Sequence, residues 1–274
     1  MATVRDKLWM FGSRAHDDDI WLGKSSEHRF TRWSRITPAE GAFMLDIPNM
    51  ILVNSDGIPV PFSADAYGYA ESFCRMKKVL WSITGSGGFR IGNEEEFICD
   101  LAEKYPNITG AFLDDYFNIF LTNDSDANER IYNDLKSIRE KLSKANRPME
   151  LYVVWYTHHF QAIDPKVMQF IDGLTLWTWE YRNLKRISDN FEFTEKLFPD
   201  KKKLLGIYLL DYPSGMPVPN EYMELQCEYG LKLLKEGRAD GLIICTNCVM
   251  GVGLPSEKWL RGWIERVKDI EIPD

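Results

Sequence analysis

The chain has 274 residues, 45% hydrophobic and 27% charged, ordinary values for a folded enzyme-sized protein. Its formal net charge is −8, and no basic block exceeds Lys201-Lys202-Lys203, so the electrostatic footprint of nucleic-acid binding is lacking. No apolar run reaches the ~18 residues that a membrane span needs, so no segment is expected to span a membrane and no membrane partner is expected.

The opening Met-Ala-Thr-Val-Arg-Asp-Lys lacks the apolar stretch of a secretory signal. Five cysteines, an odd number, suit reduced thiols better than a disulfide framework. Both point to the cytoplasm unless a leader has been removed.

Short apolar runs at Leu8–Gly12, Met50–Asn54, Val79–Thr84 and Leu151–Tyr156 read as strands. Four further strands open on glycine: Gly110-Ala-Phe-Leu-Asp-Asp-Tyr, Gly173-Leu-Thr-Leu-Trp-Thr-Trp-Glu, Gly206-Ile-Tyr-Leu-Leu-Asp-Tyr and Gly241-Leu-Ile-Ile-Cys-Thr-Asn. Helical patterns fill the intervals, most clearly at Glu94–Lys104, Ala127–Ala145, Leu184–Phe198, Glu221–Gly237 and Glu257–Ile270. Weaker ones lie at Pro38–Leu45, Ala64–Met76 and Pro165–Ile171. Asn93 with Glu96 has the spacing of a capping box, and Ser256 reads as an N-cap ahead of Glu257.

Eight strand and helix alternations in 274 residues give a (β/α)8 TIM barrel, α/β in class, as a single domain over 1–274. A doubly wound open sheet is the alternative, without the Gly-x-Gly-x-x-Gly turn of its dinucleotide-binding version.

Side chains alternate faces along a strand. The first and third positions after each leading glycine are aliphatic and should face helices: Ala111 and Leu113, Leu174 and Leu176, Ile207 and Leu209, Leu242 and Ile244. The opposite phase then carries Asp114, Tyr116, Trp177, Trp179, Tyr212 and Asn247 to the C-terminal rim, where barrel enzymes place their sites. Loops add Arg14 and His16 after the first strand, Trp81 on the third, and Tyr156 and His158 at the fifth. Nine tryptophans is a high count, and aromatic faces beside carboxylates suit a sugar.

Glycoside hydrolysis requires two carboxyl groups, one protonated to assist the leaving oxygen and one ionised as nucleophile or base. Asp114 is the first candidate by phase, and Glu180, one step beyond Trp179, is the second, poised for acid duty if burial raises its pKa. Asp115 and Asp211 fall on the outward phase and suit supporting or capping roles. Arg14, His16, Trp81, Tyr116, Tyr156, His158, Trp177, Trp179, Tyr212 and Asn247 are candidate substrate-binding residues. No cofactor is implied.

Ile108-Thr-Gly-Ala-Phe-Leu-Asp-Asp-Tyr-Phe117, together with Arg35-Ile-Thr-Pro-Ala-Glu40, Asp46-Ile-Pro-Asn49 and Val79-Leu-Trp-Ser82, resembles an uncharacterised family of bacterial barrel proteins near the glycoside-hydrolase barrels. The resemblance implies the barrel fold and an Asp114-Asp115 signature, with no activity attached. An Asp closing the fourth strand is also similar to the nucleophile position in barrel glycosidases of the alpha-galactosidase and alpha-fucosidase types, whose other diagnostic motifs are absent here.

Blander readings stand beside these. Trp177 suits core packing, His158-His159 a solvated pair, Asp17-Asp18-Asp19 a solvated turn, Gly85-Ser-Gly-Gly88 an ordinary loop, and Cys245 with Cys248 buried thiols. The function expected is hydrolysis of a carbohydrate. The alternatives are a non-catalytic sugar-binding barrel and a metal-dependent isomerase or hydrolase using His16, Asp114, His158 and Glu180, although no local metal-ligand motif occurs.

Overall fold

The computed structural model describes residues 1–22, 33–120, 126–160 and 163–273. Eight strands close into a parallel barrel: β1 (Leu8–Gly12), β2 (Asn49–Leu52), β3 (Lys78–Thr84), β4 (Ile108–Leu113), β5 (Glu150–Tyr156), β6 (Gly173–Trp177), β7 (Lys202–Tyr208) and β8 (Gly241–Cys245). They follow one another around the barrel in sequence order, and β8 returns to β1. Between them run α1 (Pro38–Met44), α2 (Ala64–Ser72), α3 (Glu94–Lys104), α4 (Ala127–Leu142), α5 (Ile187–Leu197) and α6 (Asn220–Lys235), and α7 (Pro255–Val267) follows β8. The weak helical pattern read at Pro165–Ile171 is a 3-10 turn, Pro165–Phe170, between β5 and β6.

By contact the chain divides into two compact units, Met1–Met50 with Leu176–Asp274, and Ile51–Thr175. In the first, β8 lies between β1 and β7, with Leu242 opposite both Leu8 and Leu205. Leu242, of the aliphatic phase, faces a helix as expected: a Cβ on Gly230 of α6 would sit 2.7 Å from it. On the other phase the glycines are receptacles for rings. A Cβ on Gly206 would meet the Trp177 ring at 2.0 Å, and one on Gly241 would meet Trp9 Nε1 at 2.8 Å. Gly206 therefore sits inside β7 rather than opening it, because its lack of a side chain makes room for a neighbouring indole.

The same device recurs in the second unit. There the Tyr152 ring would stand 2.1 Å from a Cβ on Gly173, and β4 runs between β3 and β5. Trp81 points outward, 5.6 Å from Phe97 of α3 and 6.5 Å from Phe73 just past α2. It is fully buried, and burial of such a side chain is worth about 1.5–3 kcal/mol.

Helix starts follow local chemistry, not always the residue read from sequence. At α1, Thr37 and Glu40 form a reciprocal capping box ahead of Pro38. At α3 the Asn93 side chain makes no cap, and Glu94 instead accepts the Ile91 and Gly92 N–H groups. At α7 the N-cap position is Leu254, and Ser256 lies inside the helix with its hydroxyl donated to the Leu209 carbonyl. No helix of the described residues is long and apolar enough to cross a membrane.

Candidate functional site

In the first unit an aromatic wall climbs from the barrel interior to the ends of β6 and β7. Trp177 packs edge-on against Phe11, at 5.6 Å, and lies 4.9 Å from Tyr208. Tyr208 meets Tyr212 at 5.6 Å, and Trp179 stacks on Tyr212 at 5.3 Å with an interplanar angle of 16°. Of these four rings Trp179 is the exposed one, at 37%, against 2% for Trp177 and 7% for Tyr212. Trp177 is thus core, and the Trp179 indole is the ring offered outward.

Beside this wall stands Asp18, whose carboxyl Oδ2 accepts the Tyr212 hydroxyl at 2.8 Å. Burial pushes the Asp18 carboxyl up to about 6, with Asp17 and Asp19 raising it further and the Tyr212 hydrogen bond opposing them. Burial likewise raises the Tyr212 phenol well above its ordinary value. The neighbouring acids are held differently: Asp17 pairs with Arg14 at 2.7 Å and Asp19 faces His16 Nδ1 at 2.9 Å. Asp18 is the residue the sequence reading passed over, as part of a solvated turn. Its partner lies 194 positions away, and no local pattern separates it from its two neighbours.

Glu180 is exposed and lines an open pocket of about 460 Å³ with Tyr181, Arg182, Asp211, Ser214 and Met216. Asp211 is buried and accepts the Tyr181 N–H and the Ser214 N–H and hydroxyl, so its carboxylate organises the turn after β7. Asn247 is fully buried, and its amide is wholly engaged. Its Oδ1 accepts the Ser13 N–H at 2.9 Å and the Thr246 hydroxyl at 3.2 Å, while Nδ2 donates to the Ser13 and Ile36 carbonyls. This places it as a staple of the loops after β1 and β8 instead of at a sugar-facing rim. Cys245 and Cys248 are buried thiols with no disulfide, and burial raises Cys248 well above the ordinary thiol value.

In the second unit Asp114 closes β4, buried at 5% exposure, its backbone fixed by the Thr84 hydroxyl and carbonyl. Asp115 follows with φ of 47°, a left-handed conformation that Asp tolerates better than most residues. Its carboxylate accepts the Tyr156 hydroxyl at 2.9 Å, the Gly87 N–H at 2.9 Å and the Asn118 amide at 3.1 Å. The Gly85-Ser-Gly-Gly88 loop is therefore tied down by Asp115.

Tyr116 lies away from the rim. It is buried, packs on Phe117 and Phe120, and donates its hydroxyl to Asp134 of α4. Strand alternation ends at Leu113, and the 3-10 turn from Tyr116 to Phe120 swings the ring into the helix layer. His158 is exposed and stacks on Tyr156 at 5.0 Å, and burial lowers its pKa against the opposing pull of Asp115. His159 corrects the expectation of a solvated pair, being fully buried. Its Nδ1 accepts the Tyr156 N–H and its Nε2 lies 2.9 Å from Asn118 Oδ1, which assigns the neutral Nε2–H tautomer. Burial lowers it to about 3.

Among the described residues no three His, Cys, Asp or Glu side chains come together as a metal-ligand set. The reading built on His16, Asp114, His158 and Glu180 has no such set to rest on.

No protein-family model matches the chain, and no curated protein matches it. Solved structures do. A GH99 endo-alpha-mannosidase from Bacteroides thetaiotaomicron is similar at a TM-score of 0.57 and 9% identity, over 96% of this chain and 97% of that one. An alpha-L-arabinofuranosidase from Thermotoga maritima gives 0.58 and 9%, over 96% of this chain and 71% of that one. An aldolase gives 0.50 and 11%, over 97% and 99%. At such identities the likeness is one of fold, a TIM barrel shared with glycoside hydrolases and with other chemistries.

Proposed function

We propose that this protein hydrolyses a glycosidic bond in a carbohydrate, at the C-terminal ends of its barrel strands. The observation that carries the reading is the Trp179–Tyr212 stack, an outward-facing indole on a buried phenol that is itself bonded to a carboxyl. Such a surface offers a flat apolar face to a pyranose ring with acid chemistry beside it. Glycoside-hydrolase neighbours of the same fold support it. Asp114 and Glu180 carry over as candidate carboxylates, Asp115 and Asp211 as residues that position loops, and Arg14, His16, Tyr156 and His158 as polar or stacking contacts.

Aldolase chemistry through a Schiff base needs a desolvated lysine near the substrate. The buried Lys203 has its pKa lowered by burial, yet it sits at the start of β7 with Nζ donated to the Pro199 and Lys201 carbonyls. That is the opposite end of the strand from Tyr208, so the observation favours the glycosidase reading.

The test is a panel of aryl glycosides and oligosaccharides. Wild-type protein should release a sugar from at least one, with Asp114→Asn and Glu180→Gln each lowering kcat by roughly 10²-fold or more while the circular-dichroism spectrum is unchanged. Trp179→Ala should raise KM by about tenfold. Saturable sugar binding without turnover would instead favour a binding barrel.

A further inference from the structure

The three acids after β1 differ in what they touch, and that difference assigns a role. Asp17 has the Arg14 guanidinium, and Asp19 has His16 and the Ser34 N–H. The Asp18 carboxyl, among the described residues, has one hydrogen-bond donor, the neutral Tyr212 hydroxyl. Among the described residues, the charged or titratable groups that face it are Asp17 and Asp19 on its own segment, Tyr212 after β7, and Cys248 after β8. Cys245, at the end of β8, lies against the same Tyr212 hydroxyl, 3.8 Å away. No cation of the described residues bonds to the Asp18 carboxyl. Tyr212 is in turn fixed by Trp179 stacked on its face, by the Trp21 edge at 5.7 Å and by Tyr208.

Resting on the glycosidase reading above, we propose that Asp18 is the proton donor of the reaction, delivering its proton to the glycosidic oxygen of a sugar stacked on Trp179. A carboxyl buried against the Tyr212 phenol with acids on both sides is held protonated further up the pH scale than an ordinary carboxyl, which is the kind of environment that marks the acid in paired-carboxylate sites. Glu180, the acid inferred from sequence, is exposed and lacks the apolar enclosure that the role asks for, so its place as a candidate carboxylate becomes that of the group that takes the water's proton.

In the step, the bond from the anomeric carbon to the leaving oxygen breaks with its electron pair passing to that oxygen, which takes the Asp18 proton and departs as an alcohol. A water oxygen forms the new bond to the anomeric carbon, and its surplus proton passes to a second carboxylate and then to solvent. The Asp18 carboxylate, steadied by the Tyr212 hydroxyl, is reprotonated from solvent.

The experiment compares wild type, Asp18→Asn and Tyr212→Phe on glycosides of several sugars, with leaving groups graded from dinitrophenol to simple alcohols, across pH. Dinitrophenolate leaves without protonation. Asp18→Asn is therefore expected to keep activity on it within about tenfold, and to lose roughly 10²–10⁴-fold on alkyl glycosides, together with the basic limb of the pH profile. Tyr212→Phe is expected to move that limb upward, because the bond it removes favours the ionised carboxylate.

An equal loss across all leaving groups, or an unmoved limb, overturns the assignment. Should Asp18→Asn fail to fold, the Tyr212→Phe limb decides. Hydrolysis by wild type with an insensitive Asp18→Asn removes the Asp18 role alone, whereas no hydrolysis by wild type on any sugar overturns the glycosidase reading and this role with it.

Discussion

The Trp177 ring fills the place where a side chain on Gly206 would stand, with ring carbons as close as 2.0 Å to an ideal Cβ. Trp177 is also held against Phe11 and Tyr208, so it has no free direction in which to yield. Gly206→Ala should therefore lower stability by about 3 kcal/mol or prevent soluble expression, read from the urea midpoint. Adding Trp177→Leu should recover part of the loss, as coupling between touching residues requires. Equal and additive losses would show that the ring and the glycine do not share that space.

Asn247, after β8, holds three backbone groups of the connection between β1 and α1. Asn247→Ala should cost about 2–4 kcal/mol, since it leaves the Ser13 N–H and the Ser13 and Ile36 carbonyls without their partner in a buried setting. Urea unfolding measures it. A loss below about 1 kcal/mol would mean that water replaces the amide.

His159 gives the fold a pH dependence of known sign. Its folded value of about 3 lies below the ordinary ~6.5, so the unfolded chain takes up the proton first as the pH falls. The contribution is whole above pH ~6.5 and declines by on the order of 1 kcal/mol per pH unit toward pH ~3. His159→Phe should flatten that slope while costing about 1–3 kcal/mol at neutral pH for the loss of the Tyr156 N–H to Nδ1 bond. Chemical denaturation at a series of pH values separates the two effects.

Asp18 has the opposite sign. Its folded value of about 6 is raised, so its contribution is whole below the unfolded value of ~3.9 and is lost as the pH climbs through 6. At neutral pH an ionised Asp18 is a burden on the fold. Asp18→Asn, whose carbonyl can still accept the Tyr212 hydroxyl, should then stabilise the protein by on the order of 1 kcal/mol at pH 7 and by nothing near pH 4. A destabilised variant at both values would show the carboxylate to be well satisfied.

The barrel was legible because alternation and interval length are local properties. Leu242 faces α6, as its position after Gly241 implied. The glycines were legible as marks but not in meaning. Gly206 reads as a strand opening, yet its reason for being glycine is an indole 29 positions earlier, and Gly173 answers to Tyr152 in the same way. Trp81 and Tyr116 show where phase stops informing: Trp81 fills the seam between helix-borne Phe97 and Phe73, and Tyr116 lies past the last strand residue, where a 3-10 turn resets direction. The candidate site was read as chemistry at strand ends. Asp18, a carboxyl raised by burial, was hidden because what distinguishes it from Asp17 and Asp19 is a phenol from the far end of the chain.

The pairing of β8 with β1 sets Leu242 opposite Leu8, a contact spanning 234 positions. On a ribosome adding about 5–20 residues per second, the β8-facing edge of β1 waits on the order of 10–50 seconds for its partner. During that interval Trp9 has no Gly241 to pack on, and a strand of Leu, Trp, Met and Phe shows open backbone donors and acceptors to its surroundings. The closure that makes the finished barrel edgeless thus leaves β1 an open, apolar edge in the nascent chain until β8 is made.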